Sequence, residues 1–171
     1  MQIRDDLILI ASTDRNGGIG HKNSLLMRIP EDMRHFRAHT LGQTVIVGRK
    51  TLASFKDGRP LPDRQTVVLS RQPGLVVPGA VVAANLHELF DVIQGDRHRI
   101  HVIGGASVYA QLLPFCRQAI LTRFDGEWEA DAHLPDISPQ TGWVCVDEGA
   151  WAMSEKGIRY RMETHERHPA R

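Results

Sequence analysis

Short apolar runs separated by turn-forming residues dominate this chain. Leu7–Ser12, Thr44–Val47, Thr66–Leu69, Ala80–Ala83, Ile100–Ile103, Ala119–Arg123, Trp143–Val146 and Ile158–Glu163 have the length and the β-branched or alternating content of strands. Between them, helical spacing predicts Glu31–His39, Lys50–Phe55, Leu86–Ile93 and Ser107–Leu113, the last closed by Pro114. Unbroken runs such as Thr44-Val45-Ile46-Val47 suit strands buried on both faces, as in a parallel sheet covered by helices. The final third has strands but no strong helix, which predicts antiparallel additions at one edge. Pro60-Leu61-Pro62-Asp63-Arg64 reads as a rigid turn and not as a domain boundary. One domain over residues 1–171 is expected, with a tail from about residue 166.

One helix carries a misplaced charge. Pro30 suits the first turn, where its missing N–H is tolerated. Advancing about 100° per residue, Ile29, Met33, Phe36 and Thr40 share one apolar arc of about 80°. Asp32 lies only about 40° from Phe36, whereas Glu31 lies about 140° away and should face water. A carboxylate edging an apolar surface is unfavourable unless a cation or donor meets it. Complementing the positive end of the helix dipole is the simplest role for it. A ligand is the alternative.

Glycines at strand ends favour the ligand. Val102-Ile103-Gly104-Gly105-Ala106-Ser107 runs a buried strand through paired glycines into a helix, where backbone N–H groups can approach an anion. Val47-Gly48-Arg49-Lys50-Thr51 repeats the arrangement with two cations, and Leu69-Ser70-Arg71 adds a hydroxyl and another cation. Strand C-termini in an α/β sheet line up along one ligand-binding edge, so these groups suggest a polyphosphate nucleotide. No GxGxxG or Walker sequence is present, and Gly17-Gly18-Ile19-Gly20 leads into polar loop residues instead of a helix.

Composition removes several competing classes. The chain has 171 residues, 42% hydrophobic and 24% charged, with a net charge of +1, so neither nucleic acid nor an anionic membrane is indicated. There is no signal-like start and no run of membrane-spanning length. Cys116 and Cys145 stand alone, which argues against a disulfide framework or zinc site and for a reducing, cytoplasmic setting. His35 and His39 have chelating i, i+4 spacing but project toward the polar side of their helix, without a third ligand, so no metal is expected. His165, Arg167, His168 and Arg171 read as a solvated tail.

Taken together, several short motifs make the chain resemble the bacterial chromosomal type of dihydrofolate reductase along nearly its whole length. They are Ile19-Gly20 with Asn23, Ile29-Pro30-Glu31-Asp32, Phe36-Arg37, Val47-Gly48-Arg49-Lys50-Thr51, Arg59-Pro60-Leu61-Pro62-Asp63-Arg64, Val68-Leu69-Ser70, Val102-Ile103-Gly104-Gly105, Tyr109, Leu121-Thr122 and Asp131-Ala132-His133-Leu134-Pro135. The resemblance implies an α/β domain with an eight-stranded mixed, mostly parallel sheet, an antiparallel C-terminal edge and four flanking helices. It also implies a monomer that reduces 7,8-dihydrofolate with NADPH and binds antifolate inhibitors.

Residue roles follow from the same resemblance. Asp32 would anchor the pterin N3 and 2-amino group, with Thr122 assisting, and Arg64 would grip the α-carboxylate of the glutamate tail. Ile10, Ser12, Leu25, Met27, Phe36, Phe55, Leu61 and Ile103 would wall the folate pocket. The cofactor would meet Ser12, Ile19, Gly20, Gly48, Arg49, Lys50, Thr51, Leu69, Ser70, Arg71 and Ile103, then Gly104 and Gly105 (joined in the family by a cis peptide), Ala106, Ser107, Val108 and Tyr109.

Two departures stand out. Leu26-Met27 replaces the usual Pro-Trp, so an indole N–H that can hold a water is missing. Ala130 replaces a common glycine before Asp131. Two rivals are a related NADPH-dependent reductase of riboflavin synthesis and a catalytically silent nucleotide- or folate-binding protein. The first should lack Asp32 together with Arg64, and the retained Asp32, Thr122 and Arg64 oppose the second.

Overall fold

The computed structural model describes residues 1–167. All eight expected strands form, as β1 (Arg4–Thr13), β4 (Thr44–Gly48), β5 (Gln65–Leu69), β6 (Val81–Ala83), β7 (Ile100–Val102), β8 (Cys116–Phe124), β10 (Trp143–Glu148) and β12 (Arg159–Arg167). They make one sheet in the order β10-β12-β8-β1-β7-β4-β5-β6, with β11 (Ala152–Met153) also pairing β12. Neighbours from β8 to β6 run parallel, while β12 and β10 add antiparallel at the C-terminal edge, as the expected class requires.

The four helices are α1 (Pro30–Thr40), α2 (Arg49–Ala53), α3 (Leu86–Ile93) and α4 (Ala106–Leu112). Alternation along β1 sends Leu7 and Leu9 to the core under α3 and α4, and Ile8 and Ile10 to the core under α1 and α2. Asn85 accepts from Glu88 N–H at 3.0 Å and caps α3, which is more amphipathic than α1.

A small second sheet, β3-β2-β9, was not expected from the pattern. It consists of β2 (Gly18–His21), β3 (Ser24–Leu25) and β9 (Ala132–His133), which are too short and too glycine-rich to show a period of two. This sheet gives the glycine-rich segment its structure and lays it beside the loop that follows β8.

The expected tail is corrected. Glu166 pairs with Val144 and Arg167 with Trp143, so the last strand runs to Arg167. His165 is buried and bonds Glu163 at 2.8 Å. Charge-rich strands of this kind read as tails because the cross-strand partners that bury them, such as Arg123 for Glu163 at 3.1 Å, lie outside any local window. His168 and Arg171 lie outside the described residues.

Candidate active site

Parallel pairing brings the C-terminal ends of five strands together. Ser12 at the end of β1 is registered against Thr122 of β8. Gly48 at the end of β4 is registered against Leu69 of β5, and its N–H donates to Gly104 O at 2.8 Å beyond β7. Ser12 and Thr122 follow the alternation of Ile10 and Ile120, so they face the side covered by α1. Asp32, in the first turn of α1, meets them there.

Asp32 is 9% exposed. Burial pushes its carboxyl above the ordinary carboxylate range, while the hydroxyls of Thr122 and Ser12 pull in the opposite direction. Ser12 therefore belongs with the acid as much as with a pocket wall. Glu31 turns away from the cleft and accepts Glu155 N–H at 2.8 Å.

Ile10, Phe36, Phe55, Leu61 and Ile103 join one apolar cluster with Val47 and Leu52, next to Asp32. One wall candidate and one residue of the apolar arc differ. Leu25 is 48% exposed in β3, and Met33, expected on the apolar arc, is 37% exposed, because the cleft edge of α1 is open above Phe36. Met27 is half-buried.

The dipole reading of Asp32 cannot account for this setting, since two hydroxyls and an open apolar cleft surround the group. A cluster of cations lies at the other end of α1. Arg64 donates from Nε to Thr40 Oγ1 at 3.1 Å and from Nη1 to Pro62 O at 2.7 Å, which fixes its guanidinium. Burial and the neighbouring Arg37 both lower its pKa, so two cations crowd one place. In the sequence Arg37 stands out only as part of the Phe36-Arg37 motif and gains no site role, because an exposed arginine near a helix end is ordinary.

The glycine edge has the closeness that a cofactor backbone approach requires. A Cβ at Gly105 would lie 2.8 Å from Thr51 Oγ1, and one at Gly48 would lie 3.0 Å from Val108. Gly104 and Gly105 are joined by a cis peptide bond. Among the described residues Arg49, Lys50 and Arg71 form no ion pair, and all three are exposed beside these glycines. That set of free cations and bare backbone fits a phosphorylated dinucleotide. Ser70 is buried, its Oγ accepting Gln72 N–H at 3.2 Å.

Several cofactor candidates are more internal than expected. Tyr109 is buried and donates its hydroxyl to Ile10 O at 2.8 Å, while its ring lies against Gly104. It therefore props the glycine pair from behind. Val108 packs into the core, and of the α4 cofactor candidates only Ala106 and Ser107 reach the surface. Ile19 and Gly20 sit in β2, where a Cβ on Gly20 would meet Ser24 O at 2.9 Å.

The reading of His35 and His39 as solvent-facing is corrected. Their rings stack edge-on with centroids 4.5 Å apart, and His39 lies 6.4 Å from buried His101 of β7. Burial lowers His35 and His101 to about 4. The helix wheel missed this because a second polar residue, His101, awaits them on the sheet.

Elsewhere, ligand atoms of Cys145, Glu163 and His165 lie within 4.8 Å of one another. Glu163 is already committed to Arg123 at 3.1 Å, Arg161 at 2.7 Å and His165, and these hydrogen bonds outweigh its burial and hold it down to about 2. Such a carboxylate is a poor cation ligand. A cavity of about 390 Å³ lined by Asp5, Asp96, Arg99 and Arg117 lies at the opposite, N-terminal ends of the strands. None of the expected site residues borders it.

An apolar cleft with one buried acid, beside glycine-tipped strand ends and free cations, defines a nucleotide-dependent α/β oxidoreductase. Comparison narrows the class. Residues 6–167 match the family described as Dihydrofolate reductase. The dihydrofolate reductase of Neisseria meningitidis serogroup B is 37% identical over 154 residues, covering 90% of this chain and 93% of that protein. Dihydrofolate reductase type 3 of Salmonella typhimurium is 39% identical, covering 86% and 89%. A solved dihydrofolate reductase from Enterococcus faecalis, complexed with NADP(H) and RAB-propyl, superposes with a TM-score of 0.82 at 26% identity, covering 95% and 96%. The chain belongs to the dihydrofolate reductase family.

Proposed function

We infer that this cleft reduces 7,8-dihydrofolate to tetrahydrofolate with NADPH, and that Asp32 and Thr122 carry the catalytic roles. The observation that bears most weight is Asp32, a lone buried carboxylate with two hydroxyls beside it and an apolar floor. NADPH, when bound, supplies the hydride from its nicotinamide C4 to pterin C6.

Everything else is done by the chain. Ile10, Phe36, Phe55, Leu61 and Ile103 exclude water and sandwich a planar ring. Asp32 accepts hydrogen bonds from the pterin N3 and 2-amino group, which fixes the ring's orientation. Its negative charge also favours the cation that forms as N5 gains a proton. The neutral acid, which burial makes more accessible, can hold a proton close to that step. Gly48, Arg49, Lys50, Thr51, Ser70, Arg71 and the Gly104–Gly105 edge hold the cofactor's phosphates. The three free cations favour a 2′-phosphorylated cofactor.

Arg64 takes the acidic tail of the substrate. Arg64→Ala is expected to raise the dihydrofolate Kd about tenfold or more while kcat changes little, because the tail is remote from the reacting atoms. Titration of substrate fluorescence quenching checks this, and an unchanged Kd would exclude the role.

Met27 covers part of the cleft with no donor to place a water. Met27→Trp is therefore expected to change the single-turnover hydride-transfer rate and antifolate affinity by about threefold or more. Identical values in both proteins would refute a different water arrangement. The test of the reaction itself is loss of NADPH absorbance when dihydrofolate is added to the purified protein.

The same reading takes residues 1–171 as one domain acting as a cytoplasmic monomer. Among the described residues no helix is long and apolar enough to cross a membrane, and both cysteines are free. Light scattering on the purified chain measures the oligomeric state.

A further inference from the structure

Loop 14–29 leaves β1 just past Ser12 and returns to the start of α1, which bears Asp32, and on the way Asn23 Nδ2 donates to Lys50 O of α2 at 3.1 Å. At its root is a second buried carboxylate that the reaction does not use. Asp14 is 1% exposed. Its Oδ1 accepts N–H bonds from Asn16 at 2.9 Å and Gly18 at 2.8 Å. Its Oδ2 accepts from Trp128 N–H at 3.1 Å, in the segment after β8. A buried carboxylate is tolerated only when donors surround it, and all of these donors are backbone.

The knot admits little movement. A Cβ on Gly18 would lie 2.9 Å from Ala130 Cβ, 3.0 Å from Asp14 Oδ1 and 3.0 Å from Leu26 Cδ2. Further backbone bonds join the same stretches, Arg15 N–H to Gly126 O at 3.0 Å and Leu134 N–H to Gly17 O at 2.8 Å. Outside the knot, Arg15 pairs with Asp125, which also takes Arg159 at 2.8 Å. One carboxylate thus joins the strand bearing Ser12, the loop above the cleft, and the segment after the strand bearing Thr122.

We propose that Asp14 is a positioning residue for hydride transfer, holding loop 14–29 in register over the cleft by bridging Gly18 and Trp128. It touches no reacting atom and acts through the loop. The proposal rests on the reductase reading given above.

Asp14→Asn is the informative variant. Asparagine keeps one acceptor oxygen but turns an NH2 toward N–H groups, so at least one arm of the bridge breaks. Single-turnover hydride transfer with pre-bound NADPH is expected to slow about tenfold, since a small misplacement far from the chemistry is amplified at the reacting atoms. The dihydrofolate Kd is expected to stay within about twofold, because Asp32 and Arg64 are untouched.

A merely structural tie would lower the amplitude of the single-turnover phase by reducing the folded fraction and leave its rate constant alone. That result would overturn the proposal. Should Asp14→Asn not fold, Gly18→Ala keeps the carboxylate but forces the loop away from Ala130, and the same slowing is expected; a wild-type rate constant there would equally overturn it. A wild-type protein that binds NADPH but shows no hydride phase would instead sink the reaction assignment, which separates the two failures.

Discussion

Asp32→Asn is expected to lower kcat/KM for dihydrofolate at pH 7 by about 10²–10³-fold, within the range of about 10²–10⁴ that a positioned acid–base group contributes. The amide can still accept one hydrogen bond, but it presents an NH2 where the pterin also donates and cannot offset a positive charge at N5. The deficit should shrink as pH falls, because more of the substrate then arrives already protonated. Full activity of Asp32→Asn at pH 7 would refute the assigned role. A second readout runs the other way. An acid whose folded pKa lies above its unfolded value opposes folding at every pH above the unfolded pKa. Removing its charge should therefore raise Tm by a few degrees, on the order of 1 kcal/mol or less. Loss of activity with gained stability separates a functional burial of Asp32 from a structural one.

The parts of this site that could be read in advance share a physical reason. Strand ends carrying glycine and cations, such as Gly48-Arg49-Lys50 and Gly104-Gly105, declare themselves locally because backbone approach and charge are properties of adjacent residues. Asp32 declares itself through helical geometry, which fixes its neighbours within one turn. What stayed hidden depends on partners distant in the chain. Asp14 gathers Trp128 N–H, Arg37 meets Arg64, and Tyr109 finds Ile10 O, and no window of sequence contains any of these three pairs. The short strands β2, β3 and β9 form for the same non-local reason: each is stabilised by the others and none has enough residues to show a period. His35 and His39 were misjudged because a helix wheel records the polarity of its own face and says nothing of His101 on the sheet beneath. The fold class was accessible because it rests on runs such as Thr44–Val47, whose burial on both faces is stated by their own composition.

The histidines lead to the other large effect. His35 and His39 on α1 and His101 on β7 face one another, and the positive charge of Arg99 acts on both His39 and His101. Burial and this cationic company hold His35 and His101 neutral down to about 4, against an ordinary value of 6.5 in the unfolded chain. Below pH 6.5 the unfolded chain therefore binds more protons than the folded one, so stability is complete above that pH and is lost progressively as pH falls toward 4. His101, only 1% exposed, should account for about 2 kcal/mol by pH 5. His35 is half-buried and adds less after solvent screening. Carboxylates barely titrate between pH 7.5 and 5, so urea unfolding across that window isolates the histidine contribution. His101→Leu is expected to flatten the pH dependence, since Leu suits the apolar surroundings of Ile8 and Val45 and takes up no proton. Equal unfolding free energies for wild type at pH 7.5 and pH 5 would sink the argument. Because α1 carries His35 and His39 as well as Asp32, the acidification that supplies protonated substrate to Asp32→Asn also loosens the helix that holds the site. Rescue of that variant is accordingly expected to rise on acidification and then collapse near pH 5, and in an Asp32→Asn/His101→Leu double variant the collapse should move to lower pH.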